Sequence, residues 1–405
     1  MHPFVPAAEN GEGSRTMRSP ARVIGIAALL LAAVSSGVCA QAFFDVSAPS
    51  AILIAADTGQ VLFEKDADRP FPPASLAKVM TLLVALEAVN AGEVSLDDPV
   101  RASARASSAT GSVVYLSLGE VQPLRQLLKA VAIAGANDAA IAVAEYVAGS
   151  EAAFVERMNR RARELGMIGT VFANSHGLPP GPGEREAVTT ARDMAVAARA
   201  LISAHPEVLE WTKVRVEPFR QSPPFNLYNT NELVGRYEGL DGLRAGYLEA
   251  SGWLLIATAQ RGETRLISVV MGARDQAERQ SATVTLLDYG FQRFVPVTLA
   301  AEGVGELQIR TGQPERVPVR LGEPLRLLVP RGETRDVTAE IVVREGLSLP
   351  VEAGAPVGEY VVSIGGREAL RVPVYTEHEV RRAGFFVRLW RQVRDWAASL
   401  LDRAS

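Results

Sequence analysis

The sequence predicts an α/β domain, with an antiparallel sheet flanked by helices, followed by a small all-β domain and a C-terminal amphipathic helix. Three patterns predict it. Strand-like segments open and close the first domain with helical periodicity between them, which implies one sheet closed by both ends of a single unit. From about 294 to 375, alternating segments such as RVPVRL, LRLLVP, TAEIVV, EYVVSI and LRVPVY are broken by Gly and Pro, the pattern of a β-domain. Near the C-terminus, Phe385, Phe386, Leu389, Trp390, Val393, Trp396, Leu400 and Leu401 recur at helical spacing.

Residues 1–40 read as a secretory signal. Arg18 and Arg22 precede an apolar run from Val23 to about Val34, and Val38-Cys39-Ala40 sets small residues at a cleavage position. The start is either Met1 or Met17. Cys39 raises a lipoprotein alternative, but Ser36-Gly37-Val38 is a poor approach to a lipidated cysteine, so cleavage after Ala40 is the expectation. Cys39 is the only cysteine and would leave with the leader, so the mature chain is expected to hold no disulfide. No other apolar run reaches the 18 or so residues that a membrane span needs.

The first domain is placed at 41–293. Ser50 to Ala56 and Val61 to Glu64 form two strands joined by Asp57-Thr58-Gly59, a hairpin signal. Ser75 to about Asn90 is a mostly apolar helix closed by Gly92, expected to be buried on most sides. Helical patterns recur at 122–148, 151–165 and 190–203, the last opened by Thr189-Thr190 with Asp193 placed for a capping box. Strands return at 253–260 and 265–272, and a helix follows at about 277–290. The β-domain is placed at 294–375. In the terminal helix, 376–405, Arg388, Arg391 and Arg394 fall mainly opposite the aromatic residues. Such a helix suits the interface of an anionic bilayer; the alternative is a helix docked on its own protein.

A net charge of −4 offers no basic excess for a nucleic-acid partner. The few histidines are scattered and no His/Cys/Asp cluster has ligand spacing, so no metal and no cofactor are expected. No G-x-S-x-G elbow is present, which argues against an α/β-hydrolase triad.

The central chemical feature is Ser75-Leu76-Ala77-Lys78. Positions i and i+3 share a helix face, so the Ser hydroxyl and Lys amine can meet over one turn. A Ser hydroxyl is a weak nucleophile until a base takes its proton, and Lys serves as that base only if burial or a nearby cation lowers its pKa. Of the 42 basic residues, Lys65, Lys78, Lys129 and Lys213 are the only lysines. Lys78 in an arginine-rich chain suggests a place where a deprotonatable amine is needed, which Arg cannot supply.

The segment PPASLAKVMT resembles the nucleophile motif of the low-molecular-mass penicillin-binding proteins, the serine-type D-alanyl-D-alanine carboxypeptidases. Further matches run in order: AGANDAAIAVAEYVAGS (134–150), FANSHGL (172–178), TTARDMA (189–195), NTNEL (229–233), LDGLRAGYLEASGW (240–253) and RLISVVMGA (265–273). The resemblance implies a β-lactamase/transpeptidase-like catalytic domain. It implies Ser75 as nucleophile on the bond between the terminal D-alanines of peptidoglycan stem pentapeptides, Lys78 as base, and Asn137 holding the substrate backbone. Backbone N–H groups of Ser75 and Tyr247, after Arg244-Ala245-Gly246, would form the oxyanion hole. Arg244, Gly246, Tyr247 and Gly135 would line the substrate, and β-lactams would be trapped as acyl-enzymes. The implied location is the periplasm, peripherally attached to the outer face of the inner membrane.

Two departures stand out. The family's Ser-x-Asn motif is Gly135-Ala136-Asn137 here, and its Lys-Thr-Gly motif is Arg244-Ala245-Gly246, so two hydroxyls are gone. Pro179 also follows HGL where the family usually has Asp. Arg244 keeps a cation that could bind a carboxylate and depress the Lys78 pKa. A lost relay in acid–base chemistry typically costs about 10²–10⁴-fold. The expectation is a D,D-carboxypeptidase; the alternatives are a non-catalytic peptidoglycan-binding scaffold and a β-lactamase or esterase, for which no Glu-bearing loop is evident. One hydroxyl of the loop 101–113 could replace the one lost at 135. His176 is read as structural, and Asn229 and Asn231 as ties from loop to sheet.

Overall fold

The computed structural model, which describes residues 44–181, 186–344 and 346–401, builds its first domain around strand β1 (Ser50–Ala55), SAILIA, buried at every position. The expected leader, with Cys39, lies outside the described residues. An unbroken apolar run suits a strand with neighbours on both edges and layers on both faces. One neighbour is β2 (Val61–Lys65), its hairpin partner. The other comes from far along the chain. Strands β3 (Leu240–Leu248), β4 (Gly252–Arg261) and β5 (Thr264–Ala273) complete a sheet of order β2-β1-β5-β4-β3, antiparallel throughout. Ser50 pairs with Met271 and Ala55 with Leu266, so both ends of the domain meet at the sheet centre.

Side chains alternate across this sheet. Ile52, Ile54, Ile267 and Val269 face a large helical core. On the opposite face, Gly290 of the helix Gln276–Arg293 lies against Leu53 and Leu266. The core helix α1 (Ala77–Asn90) is buried on nearly every side, as its composition demands.

The helical run expected over 122–148 is interrupted. Leu124–Lys129 is α-helical, Ala130–Ala134 widens into a π-helix, and Gly135 ends it at φ 68°, ψ 36° before α2 (Asn137–Ala148) begins anew. Periodicity alone does not register one left-handed residue, and glycine adopts it without steric cost. Helices α3 (Glu151–Glu164) and α4 (Ala191–Ala204) follow. Half of the expected capping box forms: Thr190 accepts from the Asp193 N–H, whereas the Asp193 carboxylate turns to Gly169 N and Thr170 Oγ1.

The β-domain holds a five-stranded sheet of order 305–308, 316–321, 367–376, 356–364, 337–343, with 294–299 paired to 325–330 beside it. Its core is nearly all Val, Leu and Ile, Val317, Val319, Val357, Val362 and Val374 among them. Gln60, after the β1–β2 turn, joins the two domains: Nε2 donates to Leu328 O at 2.8 Å and Oε1 accepts from Leu328 N at 2.9 Å. Residues 376–383, expected with the terminal helix, belong to the β-domain instead. Val380 pairs with Val351, Arg382 lies opposite Gly312, and Thr376, Val380 and Ala383 are buried.

The terminal helix α5 (Phe385–Leu401) follows, with side chains described up to Arg394. Its arginine face docks on the β-domain. Arg391 donates to the Arg310 and Gly312 carbonyls and pairs with Glu315, which also meets Arg394. Phe386 and Trp390, 83% and 64% exposed, face outward with Phe385, Leu389 and Val393. Among the described residues, no helix is long and apolar enough to cross a membrane.

Candidate active site

Three segments converge at the N-terminus of α1. A 3-10 turn, Ala74–Leu76, carries Ser75 into the helix. Ala74 holds φ 47°, a left-handed conformation that costs a non-glycine residue about 1 kcal/mol or more and occurs where surrounding structure enforces it. The enforcing contact comes from SHGL: a Cβ on Gly177 would stand 1.7 Å from Ala74 O, so only glycine permits this approach. The third segment is β3, where a Cβ on Gly246 would lie 3.2 Å from Ser75 N. Gly246 thereby lets strand and nucleophile turn touch, which puts the backbone entering Tyr247 beside Ser75.

Lys78 is fully buried. Its Nζ lies 3.4 Å from Ser75 Oγ and donates to the His176 carbonyl at 2.6 Å. Burial pushes its pKa well below the usual lysine range, the Arg244 charge pushes the same way, and Asp138 opposes them. A neutral amine has two N–H bonds and one lone pair. With one N–H held by His176 O, the lone pair is available to the Ser75 hydroxyl. Sequence reading took His176 as structural; the part it plays is through its backbone oxygen, while its ring is kept neutral, held down to about 4 mainly by burial. Asn174 shapes this turn, accepting from Gly177 N at 2.6 Å and donating to Leu178 O.

Asn137, expected to hold substrate, donates its amide to Thr110 O at 2.6 Å, and its backbone N–H goes to Ser112 O. It thus ties down the loop over the site. Asp138 does the same, accepting from Val114 N, Leu116 N and Ala139 N.

Ser75, Gly135, Arg244, Ala245, Gly246 and Tyr247 line an open cleft of about 320 Å³, which also takes in Ser112, Thr230, Trp253 and Arg279. Tyr247 is half exposed, its ring 4.7 Å from that of Trp253. Arg244, expected to bind a carboxylate, is 2% exposed and held mainly by protein groups: Val131 O, Ala132 O, Ala245 O and the Thr230 hydroxyl. Burial, aided by Arg279, pulls its pKa down to about 10, which leaves it charged.

Arg279 escaped the sequence reading. It stacks over Trp253 at 5.0 Å, is 4% exposed, and its Nε has no hydrogen-bond partner. Its sequence signal was no more than one arginine among many. Two buried guanidinium groups beside a cleft favour an anionic ligand, and an unpaired buried donor calls for an acceptor. As expected, Asn229 and Asn231 are ties: the first holds Thr212 O and Val214 O, the second Gly242 O of the sheet.

The nucleophile, base and cleft can be set beside known proteins. The family model for D-alanyl-D-alanine carboxypeptidase matches residues 36–275, and that for the penicillin-binding protein 5 C-terminal domain matches 294–382. The D-alanyl-D-alanine carboxypeptidase DacF of Bacillus subtilis is 34% identical over 86% of this chain and 90% of its own. Penicillin-binding protein 5 of Haemophilus influenzae superposes with a TM-score of 0.73 at 26% identity, over 84% of this chain and 99% of that one. Penicillin-binding protein D2 of Listeria monocytogenes, in an ampicillin-bound form, gives 0.56 at 35% identity, over 61% and 98%. The chain belongs to the D-alanyl-D-alanine carboxypeptidase family of serine hydrolases, the low-molecular-mass penicillin-binding proteins.

Proposed function

We propose that this protein removes the terminal D-alanine from peptidoglycan stem pentapeptides through an acyl-enzyme on Ser75, and that β-lactams acylate the same oxygen. The observation that carries this is the Ser75 hydroxyl 3.4 Å from a fully buried lysine amine. Burial and Arg244 favour the neutral amine, which takes the Ser75 proton as Oγ attacks the carbonyl carbon. Backbone N–H groups of Ser75 and Tyr247 receive the developing oxyanion, helped by the positive end of α1. The substrate's C-terminal carboxylate goes to the Arg279 guanidinium, with Trp253 and Tyr247 forming the adjoining wall. Arg244 adds its charge from behind. Water then hydrolyses the ester.

The test is labelling by fluorescent penicillin together with D-alanine release from a D-Ala-D-Ala pentapeptide. Wild type is expected to do both, and Ser75→Ala neither. Release without labelling at Ser75 would overturn the assignment, and neither labelling nor release would point to a peptidoglycan-binding scaffold.

The reading extends to location: export on the N-terminal leader, and attachment of α5 to the outer face of the inner membrane. What supports attachment is the division of the helix, with its arginines docked on the β-domain and its aromatic residues turned outward.

A further inference from the structure

The departures at 135 and 244 are one structural fact. Gly135 adopts φ 68°, and a Cβ built on it would stand 2.5 Å from Arg244 Nη2, 2.7 Å from Cζ and 2.9 Å from Nη1. The guanidinium therefore fills the place a side chain at 135 would take. It is fixed there, because Nη1 donates to Val131 O and Ala132 O at 2.9 and 3.1 Å. The same Nη2 that crowds residue 135 donates to Thr230 Oγ1. Thr230 Oγ1 and the vacated side-chain position thus both adjoin the same nitrogen.

Thr230 lines the cleft with Ser75 and is half-buried. Its oxygen accepts from a cation, which polarises the O–H bond and strengthens it as a donor. Ser112, the other hydroxyl on this wall, is committed: its Oγ donates to Ala134 O at 2.8 Å. Thr230 therefore keeps its hydroxyl proton for the cleft, on the wall where the residue-135 side chain is missing.

We propose that Arg244 fills the place of the residue-135 side chain and thereby presents the Thr230 hydroxyl as proton donor to the departing amine. This rests on the peptidase reading above. As Ser75 Oγ bonds to the carbonyl carbon, its proton passes to Lys78 Nζ. As the C–N bond breaks, the leaving nitrogen takes the Thr230 hydroxyl proton. When water hydrolyses the ester it gives a proton to Thr230 and the Lys78 proton returns to Ser75 Oγ, so over the cycle water supplies the hydroxyl of the acyl group and one proton of the amine.

Two measurements test it. The first compares a D-Ala-D-Ala peptide with its D-Ala-D-lactate ester, whose alkoxide leaving group has far less need of protonation than an amine. Thr230→Val should lower kcat/KM for the amide by about 10²–10⁴-fold, the range of general-acid effects, and for the ester far less, with Thr230→Ser restoring the amide. Equal losses on both substrates, or no loss on either, would overturn the donor role. The second is a double-mutant cycle in melting temperature. The left-handed backbone penalises Gly135→Ser in any background, but the clash needs Arg244. Gly135→Ser should therefore destabilise wild type much more than it destabilises Arg244→Lys. Equal destabilisation would overturn the interlock. A wild type inert to both substrates and to penicillin would sink the peptidase reading and the Thr230 role with it, while the melting cycle would still decide the interlock.

Discussion

Lys78 stands in a chain that writes nearly all its cations as arginine, and its surroundings account for the exception. Nothing anionic pairs directly with its amine; a carbonyl and a hydroxyl do. The buried positive charge of Arg244 makes the proton harder to keep. Because the base works unprotonated, kcat/KM should rise as pH climbs through the Lys78 pKa. Arg244→Gln removes a cation that lowers this pKa, so the acidic limb of the profile should move to higher pH, with activity lost near neutrality recovering in alkali. A profile that falls uniformly, without moving, would mean the charge does not reach Lys78. His176 gives a second pH effect. Its folded pKa of about 4 lies below the ordinary 6.5, so the unfolded chain binds the extra proton between those values. Its contribution is present above pH 6.5 and lost as pH falls toward 4. Melting temperature should drop across this window, and less steeply in His176→Gln. The Ser-x-x-Lys spacing was legible because a helix converts i, i+3 into adjacency. Arg279 stands in no local pattern, and although Thr230 and His176 lie in the segments NTNEL and FANSHGL, nothing in either segment says that a hydroxyl or a backbone carbonyl enters the site by tertiary contact.

Short elements around the cleft are held by buried side chains that satisfy backbone, and Asp138 is the clearest example. At the start of α2 it accepts from three backbone N–H groups, two of them in the loop at 114–116. Asp138→Ala would leave those donors without their carboxylate, a cost of about 3 kcal/mol for hydrogen bonds to a charged group. Urea denaturation should register that loss, and penicillin acylation should slow as the loop and Asn137 loosen. An unchanged midpoint would show that the loop is held by other means. The sequence showed α2 only as part of one long run. The break at Gly135 is what turns Asn137 and Asp138 toward this loop, and the pattern of apolar residues carries no trace of it.

Across the whole molecule, four strands of the first sheet were legible as short apolar runs and the β-domain from its alternation, whereas β3 and the way the parts join were not. Gln60 reads as an ordinary turn residue, yet it hydrogen-bonds both polar atoms of Leu328, at 2.8 and 2.9 Å. The end of the β-domain was also hidden, because 376–383 lacks a strong pattern and is held by pairing with distant strands. A cut after Gly384 therefore removes the terminal helix and spares the packed core. That truncation should release the protein from anionic vesicles while leaving penicillin labelling intact. Vesicle binding that survives the cut would rule out α5 as the anchor.

The central strand has a temporal consequence as well. Ser50 finds its inner partner in Met271, so the nascent chain cannot complete its sheet until nearly the entire first domain has been translated. Until then the nucleophile turn has no β3 to lean on, and the enzyme is born inert. Such a late-closing polypeptide keeps the inner edge of its first strand unpaired until residue 271 has been made, so partner-free backbone is exposed for as long as that takes.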